Sequence, residues 1–139
     1  MIKTDFHKYM HLAWLIIVSL TIASQTQAQS VNGDSLYIKE LILAENVVER
    51  EPVNVVQSFD ISDKKGWCFA RINNPGDIKT ISFIWFHDDD LHYEMETKVG
   101  KSSNWRTYSS VTLEEGTWRV EIVGPDSTTL KEIRFNVSD

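Results

Sequence analysis

Hydrophobic and polar residues alternate along most of this chain with a period of two. That period marks strands with one buried and one wetted face. In 117–123 (TWRVEIV), Trp118, Val120 and Ile122 face one way while Thr117, Arg119 and Glu121 face the other. In 130–137, Ile133, Phe135 and Val137 oppose Arg134 and Asn136. Runs rich in Ile, Val, Phe, Trp, Tyr and Thr predict further strands at 36–48, 67–73, 80–87, 91–99 and 104–113. The run 36–48 also fits a helical period, but its β-branched and aromatic content favours a kinked strand. Asn74-Pro75-Gly76-Asp77, Glu114-Glu115-Gly116 and Gly124-Pro125-Asp126-Ser127 supply the turns. Residues 50–66 read as an irregular link with a short extra strand at 53–59. About seven strands, spaced about a dozen residues apart, predict an all-β fold, an antiparallel immunoglobulin-like sandwich.

The same alternation names a core: Phe69 or its neighbours, Ile81, Phe83, Trp85, Tyr93, Met95, Trp118, Val120, Ile122, Ile133, Phe135 and Val137. The hairpin after 80–87 has two possible registers. A three-residue turn, Asp88 to Asp90, pairs Trp85 with Tyr93, Phe83 with Met95 and Ile81 with Thr97. A two-residue turn at Asp89-Asp90 sets Trp85 against Glu94 and wastes the apolar face. Apolar cross-strand pairs are worth about 0.2–1 kcal/mol each, so the first register is expected.

Ahead of the strands stands a different pattern. Residues 12–23 (LAWLIIVSLTIA) form an apolar run preceded by Lys3, His7 and Lys8 and followed by Thr26-Gln27-Ala28. Charged start, short apolar core and small residues before a cut are the parts of an export signal. The run is shorter than the roughly 20 residues a membrane span needs, which disfavours a retained anchor. The expected organisation is a signal peptide at 1–28, a flexible leader at 29–35 and a single β-sandwich domain at 36–139. The mature domain of about 111 residues is large enough to fold on its own core. It is expected in the periplasm or outside the cell, with no membrane span after cleavage.

Charge narrows the partners. The whole chain carries a net charge of −6. Loss of Lys3, Lys8 and Asp5 leaves twelve basic against nineteen acidic residues, a net of −7. A net acidic domain without a basic run is poorly suited to nucleic acid, whose affinity comes largely from phosphate neutralisation. Anionic lipid surfaces are disfavoured for the same reason. The one cysteine, Cys68, cannot form an internal disulfide and reads as a small buried residue.

Candidate chemistry is sparse. His87-Asp88-Asp89-Asp90-Leu91-His92 offers metal-ligand types. In the expected three-residue turn, however, residues 87 and 92 point to opposite faces, so no metal or other cofactor is expected. Ser109-Ser110 lack the Gly-x-Ser-x-Gly elbow of a hydrolase nucleophile. Glu114-Glu115 precede a turn glycine and read as surface charge. No catalytic residue is therefore expected. Of the tryptophans, Trp105 opens a strand after a polar loop and is the one expected to be partly exposed, although capping one end of the sandwich is its expected role. With Arg106 and Tyr108 it forms a candidate stacking surface for a sugar or peptide.

Several segments, in order, carry a resemblance: Arg50-Glu51-Pro52-Val53, Trp85-Phe86-His87, Trp105-Arg106-Thr107-Tyr108-Ser109-Ser110, Gly116-Thr117-Trp118-Arg119-Val120-Glu121 and Phe135-Asn136-Val137. The chain resembles the bacterial family called domain of unknown function 2914 from about Leu36 to Val137. One departure is the last hairpin, Gly-Pro-Asp-Ser-Thr-Thr-Leu, where the family tends to an Asp-x-x-Gly turn. The resemblance implies a small β-sandwich-like domain, often exported or attached to membrane-spanning regions, and supplies no catalytic residues. It does single out His87, Arg106 and Ser109, for all of which structural pairing is the expected role, and His87 joins Trp105, Arg106 and Tyr108 as a candidate binding residue.

The expected function is a non-catalytic exported module that binds or scaffolds an unknown protein or glycan of the cell envelope. A carbohydrate-binding domain is the alternative, and an unrecognised hydrolase the third reading.

Overall fold

The computed structural model describes residues 35–139. The expected signal peptide at 1–28, and all of the 29–35 leader except Ser35, lie outside the described residues. Nine strands follow in order: β1 Tyr37–Val48, β2 Glu51–Val56, β3 Phe59–Asp60, β4 Lys65–Asn74, β5 Lys79–His87, β6 Asp90–Val99, β7 Ser102–Thr112, β8 Gly116–Val123 and β9 Thr129–Ser138. A single 3₁₀ turn, Ile61–Asp63, sits between β3 and β4 and is capped by Asp60, whose carboxylate accepts the Ser62 amide.

The strands form two sheets, one of four strands in the order β2-β1-β4-β7 and one of five in the order β3-β9-β8-β5-β6. Pairing is antiparallel except between β3 and β9, which run parallel. This is an all-β immunoglobulin-like sandwich, as the alternation predicts. The seven expected strands are β1 and β4 to β9. The link at 50–66 holds two strands rather than one, because β2 starts at Glu51 and β3 is only a two-residue contact. Among the described residues no helix is long and apolar enough to cross a membrane.

The core lies between the sheets. Ile81, Phe83 and Trp85 of β5, Trp118, Val120 and Ile122 of β8, and Phe135 and Val137 of β9 are buried there against Leu41, Leu43, Cys68, Ala70 and Ile72. Burial also pushes the Cys68 thiol far up from its ordinary range, so it is an inert filler of the core.

Three expected core residues differ. Tyr93 is 43% exposed, and Met95 and Ile133 are only half-buried. Tyr93 and Met95 point to the inner side, but β6 is the edge strand of its sheet. Phe69 is fully buried but on the opposite side from Cys68 and Ala70. There it is covered by the Arg71 guanidinium, 5.1 Å from its ring centre.

The β5–β6 hairpin corrects the expected turn. The register of its body is the expected one: Ile81 opposite Thr97, Phe83 opposite Met95, Trp85 opposite Tyr93. The turn itself has two residues, Asp88 and Asp89, with His87 opposite Asp90. Both aspartates are left-handed (φ 46° and 69°), as a type I′ turn requires and as aspartate tolerates. The extra residue is absorbed by a bulge at Leu91-His92, which restores the apolar pairing further along.

The β8–β9 connection answers the sequence departure noted above. The Ser127 amide donates to the Gly124 carbonyl (3.0 Å), with Pro125 inside the turn and Ser127 left-handed (φ 63°). The Asp126 carboxylate accepts from the Thr128 amide and hydroxyl, which fixes the turn without glycine at that corner.

Candidate functional site

The motif residues gather in two places. The first is the end of the sandwich at the β5–β6 hairpin. Trp85 is fully buried, and its indole N–H donates to the Ser109 hydroxyl at 3.0 Å, from one sheet to the other. The Trp-x-His segment and the Ser-Ser segment are therefore partners in one buried hydrogen bond. Such a bond matters because an unpaired polar group in the core is costly.

His87, two residues along the same face, stacks on Trp118 with ring centres 4.5 Å apart. Its Nε2 lies 2.8 Å from the Glu115 carbonyl and 3.5 Å from the Asp88 carboxylate, while its Nδ1 lies 3.7 Å from the Glu114 carboxylate. Trp118 in turn donates its indole N–H to the Glu114 carbonyl at 2.9 Å. Gly116 is required here: its φ is +137°, and a Cβ would fall 2.6 Å from Asp88 Oδ1 and 2.7 Å from His87 Nε2. Asp88 ties the hairpin tip to β8, accepting from the Thr117 amide at 2.9 Å and hydroxyl at 3.1 Å. The Thr117 amide bond is the main reason the Asp88 carboxyl is held below its ordinary range.

The bulge reverses the expected placement of the two histidines. His92 does not point away from His87. The two rings are 6.1 Å apart, and His92 meets Trp118 edge-on at 4.8 Å. Even so, among the described residues no group of three or more His, Cys, Asp or Glu side chains is placed to hold a metal. A cleft of about 350 Å³ beside Trp118 is lined in part by Phe86, Asp89, Arg119 and Arg134. Its arginines already face acids: Arg119 lies 3.0 Å from Glu121 and over the Phe86 ring, and Arg134 lies 3.1 Å from Glu132.

The second place is the outer side of the four-stranded sheet. Arg106 and Arg71 stand opposite each other on β7 and β4. Glu51 bridges them, accepting from Arg71 at 2.7 Å and from Arg106, while Glu40 accepts from Arg71 at 2.8 Å. Arg50 donates to the Arg106 carbonyl at 3.1 Å and lies over the Trp105 ring at 5.8 Å. The Arg-Glu-Pro-Val and Trp-Arg segments thus meet at the tip of the β1–β2 hairpin, whose turn residues Glu49 and Arg50 are both left-handed. Hydrogen bonds from Arg71 and then Arg106 hold the Glu51 carboxyl below its ordinary range.

The structure does not bring the candidate stacking residues together. Trp105 lies on the inner side of β7, packed on the core and against Gly100, where a Cβ would meet its ring at 2.8 Å. Arg106 and Tyr108 lie on the outer side, and His87 sits in the other sheet. Tyr108 instead neighbours Trp67, with ring centres 5.6 Å apart, and Lys65 lies over Trp67 at 4.6 Å. Trp67 was hidden in the sequence because its partnership depends on the β4–β7 register. The only cue was that its neighbours Cys68 and Ala70 occupy the opposite parity.

Residues 79–137 match the model of the family described as "Protein of unknown function (DUF2914)". The family that the ordered motifs resemble is therefore the family whose model matches, over β5 to β9. No curated protein matches the chain. Among solved structures, the chain is similar to the CARDB domain of a Pyrococcus furiosus protein crystallised in complex with di-metal ions. The identity is 12%, over 75% of this chain and 93% of that one, with a TM-score of 0.46. It is also similar to a β-glucosidase from Kluyveromyces marxianus, at 10% identity and a TM-score of 0.45. That likeness covers 76% of this chain but only 14% of the enzyme.

Proposed function

We propose that the chain is an exported, non-catalytic module that binds or scaffolds a partner in the cell envelope. The observation that supports this is how the motif polar groups are used. Ser109 takes the Trp85 N–H inside the core, Arg106 is tied to Glu51, and His87 stacks on Trp118 with its Nε2 at the Glu115 carbonyl. A nucleophile or general base must be free to reach substrate. Groups committed to holding strands leave recognition to the exposed surfaces.

Two experiments test the reading. Residues 1–28 fused to alkaline phosphatase are expected to give periplasmic activity; a fusion that stays inactive in the cytoplasm contradicts export. Photo-crosslinkers at exposed Tyr37, Val55 or Tyr93, introduced in living cells, are expected to trap an envelope component at one of these positions. Substrate turnover by the purified chain, abolished by Ser109→Ala, would contradict the non-catalytic reading.

A second reading is favoured by the Trp67–Tyr108 pair: a carbohydrate-binding face on the outer side of the four-stranded sheet. Paired, partly exposed aromatics beside a cation suit stacking against a sugar ring. Glycan-array binding lost in Tyr108→Ala and Trp67→Ala, but kept in Trp105→Phe, supports it. Absence of glycan binding by the parent chain removes it.

A further inference from the structure

Each sheet has two edge strands, and an uncovered edge offers unpaired main-chain groups to any extended chain. Three of the four edges are blunted. β3 is two residues long. β2 carries Pro52, which has no N–H to donate, and Asn54, which is left-handed (φ 54°) and interrupts the ladder with β1. On β7, side chains cap two main-chain carbonyls: Arg50 that of Arg106 and Lys39 that of Ser103. The fourth edge, β6, carries the charged side chains of Glu94, Glu96 and Lys98 over 93–99, but no proline or left-handed residue. It pairs there with β5 without interruption, from Trp85 opposite Tyr93 to Lys79 opposite Val99, and among the described residues no strand lies on its other side.

We propose that β6 pairs antiparallel with β6 of a second copy of this chain, about a twofold axis through Glu96. The two five-stranded sheets then become one continuous sheet. Directly opposite residues in such a pair lie on one face, so the axis must pass through a residue. The uninterrupted stretch is bounded by the His92 bulge and by Gly100, and its middle residue is Glu96. That register uses all seven positions; moving the axis by one residue loses two of them. It sets Glu94 opposite Lys98 twice on the outer side, and Met95 opposite Thr97 twice on the inner side. Glu94 and Lys98 make no ion pair within the described residues. Exposed Tyr93 is brought alongside the partner's end of the strand. The one unfavourable contact is Glu96 against its own copy on the axis. An edge-only contact lies at the small end of protein interfaces, so the dimer is weak and concentration-dependent.

This pairing stands on β6 alone and goes beyond the binding-module reading, which its failure leaves untouched. Sedimentation equilibrium of the full chain, from about 1 μM to about 1 mM, tests it. The weight-average mass is expected to rise from one 16.0 kDa chain toward two. Lys98→Glu sets Glu94 against a like charge twice, beside the Glu96 pair, so that six acidic side chains line the seam, and is expected to weaken association about tenfold or more. Glu94→Lys combined with Lys98→Glu restores it. Glu96→Gln removes the repulsion on the axis and is expected to strengthen association several-fold. These positions are exposed, so circular dichroism is expected to be unchanged in every variant. A chain that stays monomeric throughout, Glu96→Gln included, overturns the pairing and leaves this edge to an extended segment of another protein. Association indifferent to Lys98→Glu, or not restored by the charge exchange, overturns it as well.

Discussion

The indole N–H of Trp85 donates to the Ser109 hydroxyl at 3.0 Å across the interior of the sandwich. This bond joins β5 of one sheet to β7 of the other and makes sense of two separate motifs at once. Tryptophan fills the core, while its single donor needs an acceptor that a neighbouring aliphatic cannot supply. The Glu51–Arg106 contact acts within one sheet, on its outer side, fixing the β1–β2 hairpin against β7.

Gly116→Ala is expected to destabilise the chain by about 1–3 kcal/mol, the usual cost of a strained backbone position. Its φ of +137° disfavours any side chain, and the new methyl runs into Asp88 and His87. Thermal unfolding monitored by tryptophan fluorescence checks this. A midpoint equal to the parent's would show that the hairpin tip yields freely.

Trp118→Ala is expected to cost about 3–5 kcal/mol, the range for a buried large aromatic. Trp118 is only 2% exposed and packs on both His87 and Phe135. A loss under about 1 kcal/mol in chemical denaturation contradicts its place in the core.

Acid sensitivity should carry the signature of Glu51. Its folded-state carboxyl titrates below the ordinary value of 4.5 because Arg71 and Arg106 hydrogen-bond the charged form. A depressed carboxyl contributes stability that is fully present above its unfolded value. That contribution is lost as pH falls through the folded value. Stability is therefore expected to decline as pH drops below 4.5, with a shallower decline in Glu51→Gln. Urea midpoints measured down through this range check it; parallel pH profiles for the two proteins would contradict it.

Most of the strand pattern was legible in the sequence, because period-two alternation and turn residues report directly on strands that face a core. Residues such as Trp118, Val120 and Ile122 needed nothing more. Three features were not legible, each for a physical reason. The hairpin tip kept its expected apolar pairing by a route that alternation cannot register, a tighter turn at Asp88-Asp89 compensated by a bulge at His92. Tyr93 alternates like a core residue, but exposure is set by its place at a sheet edge, which depends on strand order. The Glu51–Arg71–Arg106 cluster and the Trp67–Tyr108 pair bring together residues 20 to 55 positions apart. Nothing local in the chain encodes those encounters.

The central claim is that the motif polar groups are committed to holding strands together, with Trp85–Ser109 joining the two sheets, and urea denaturation of Ser109→Ala tests it most directly. Removing the hydroxyl leaves the buried Trp85 N–H without an acceptor. The expected result is a loss of about 1–3 kcal/mol in unfolding free energy with an unchanged denaturant slope. A variant as stable as the parent would contradict the claim.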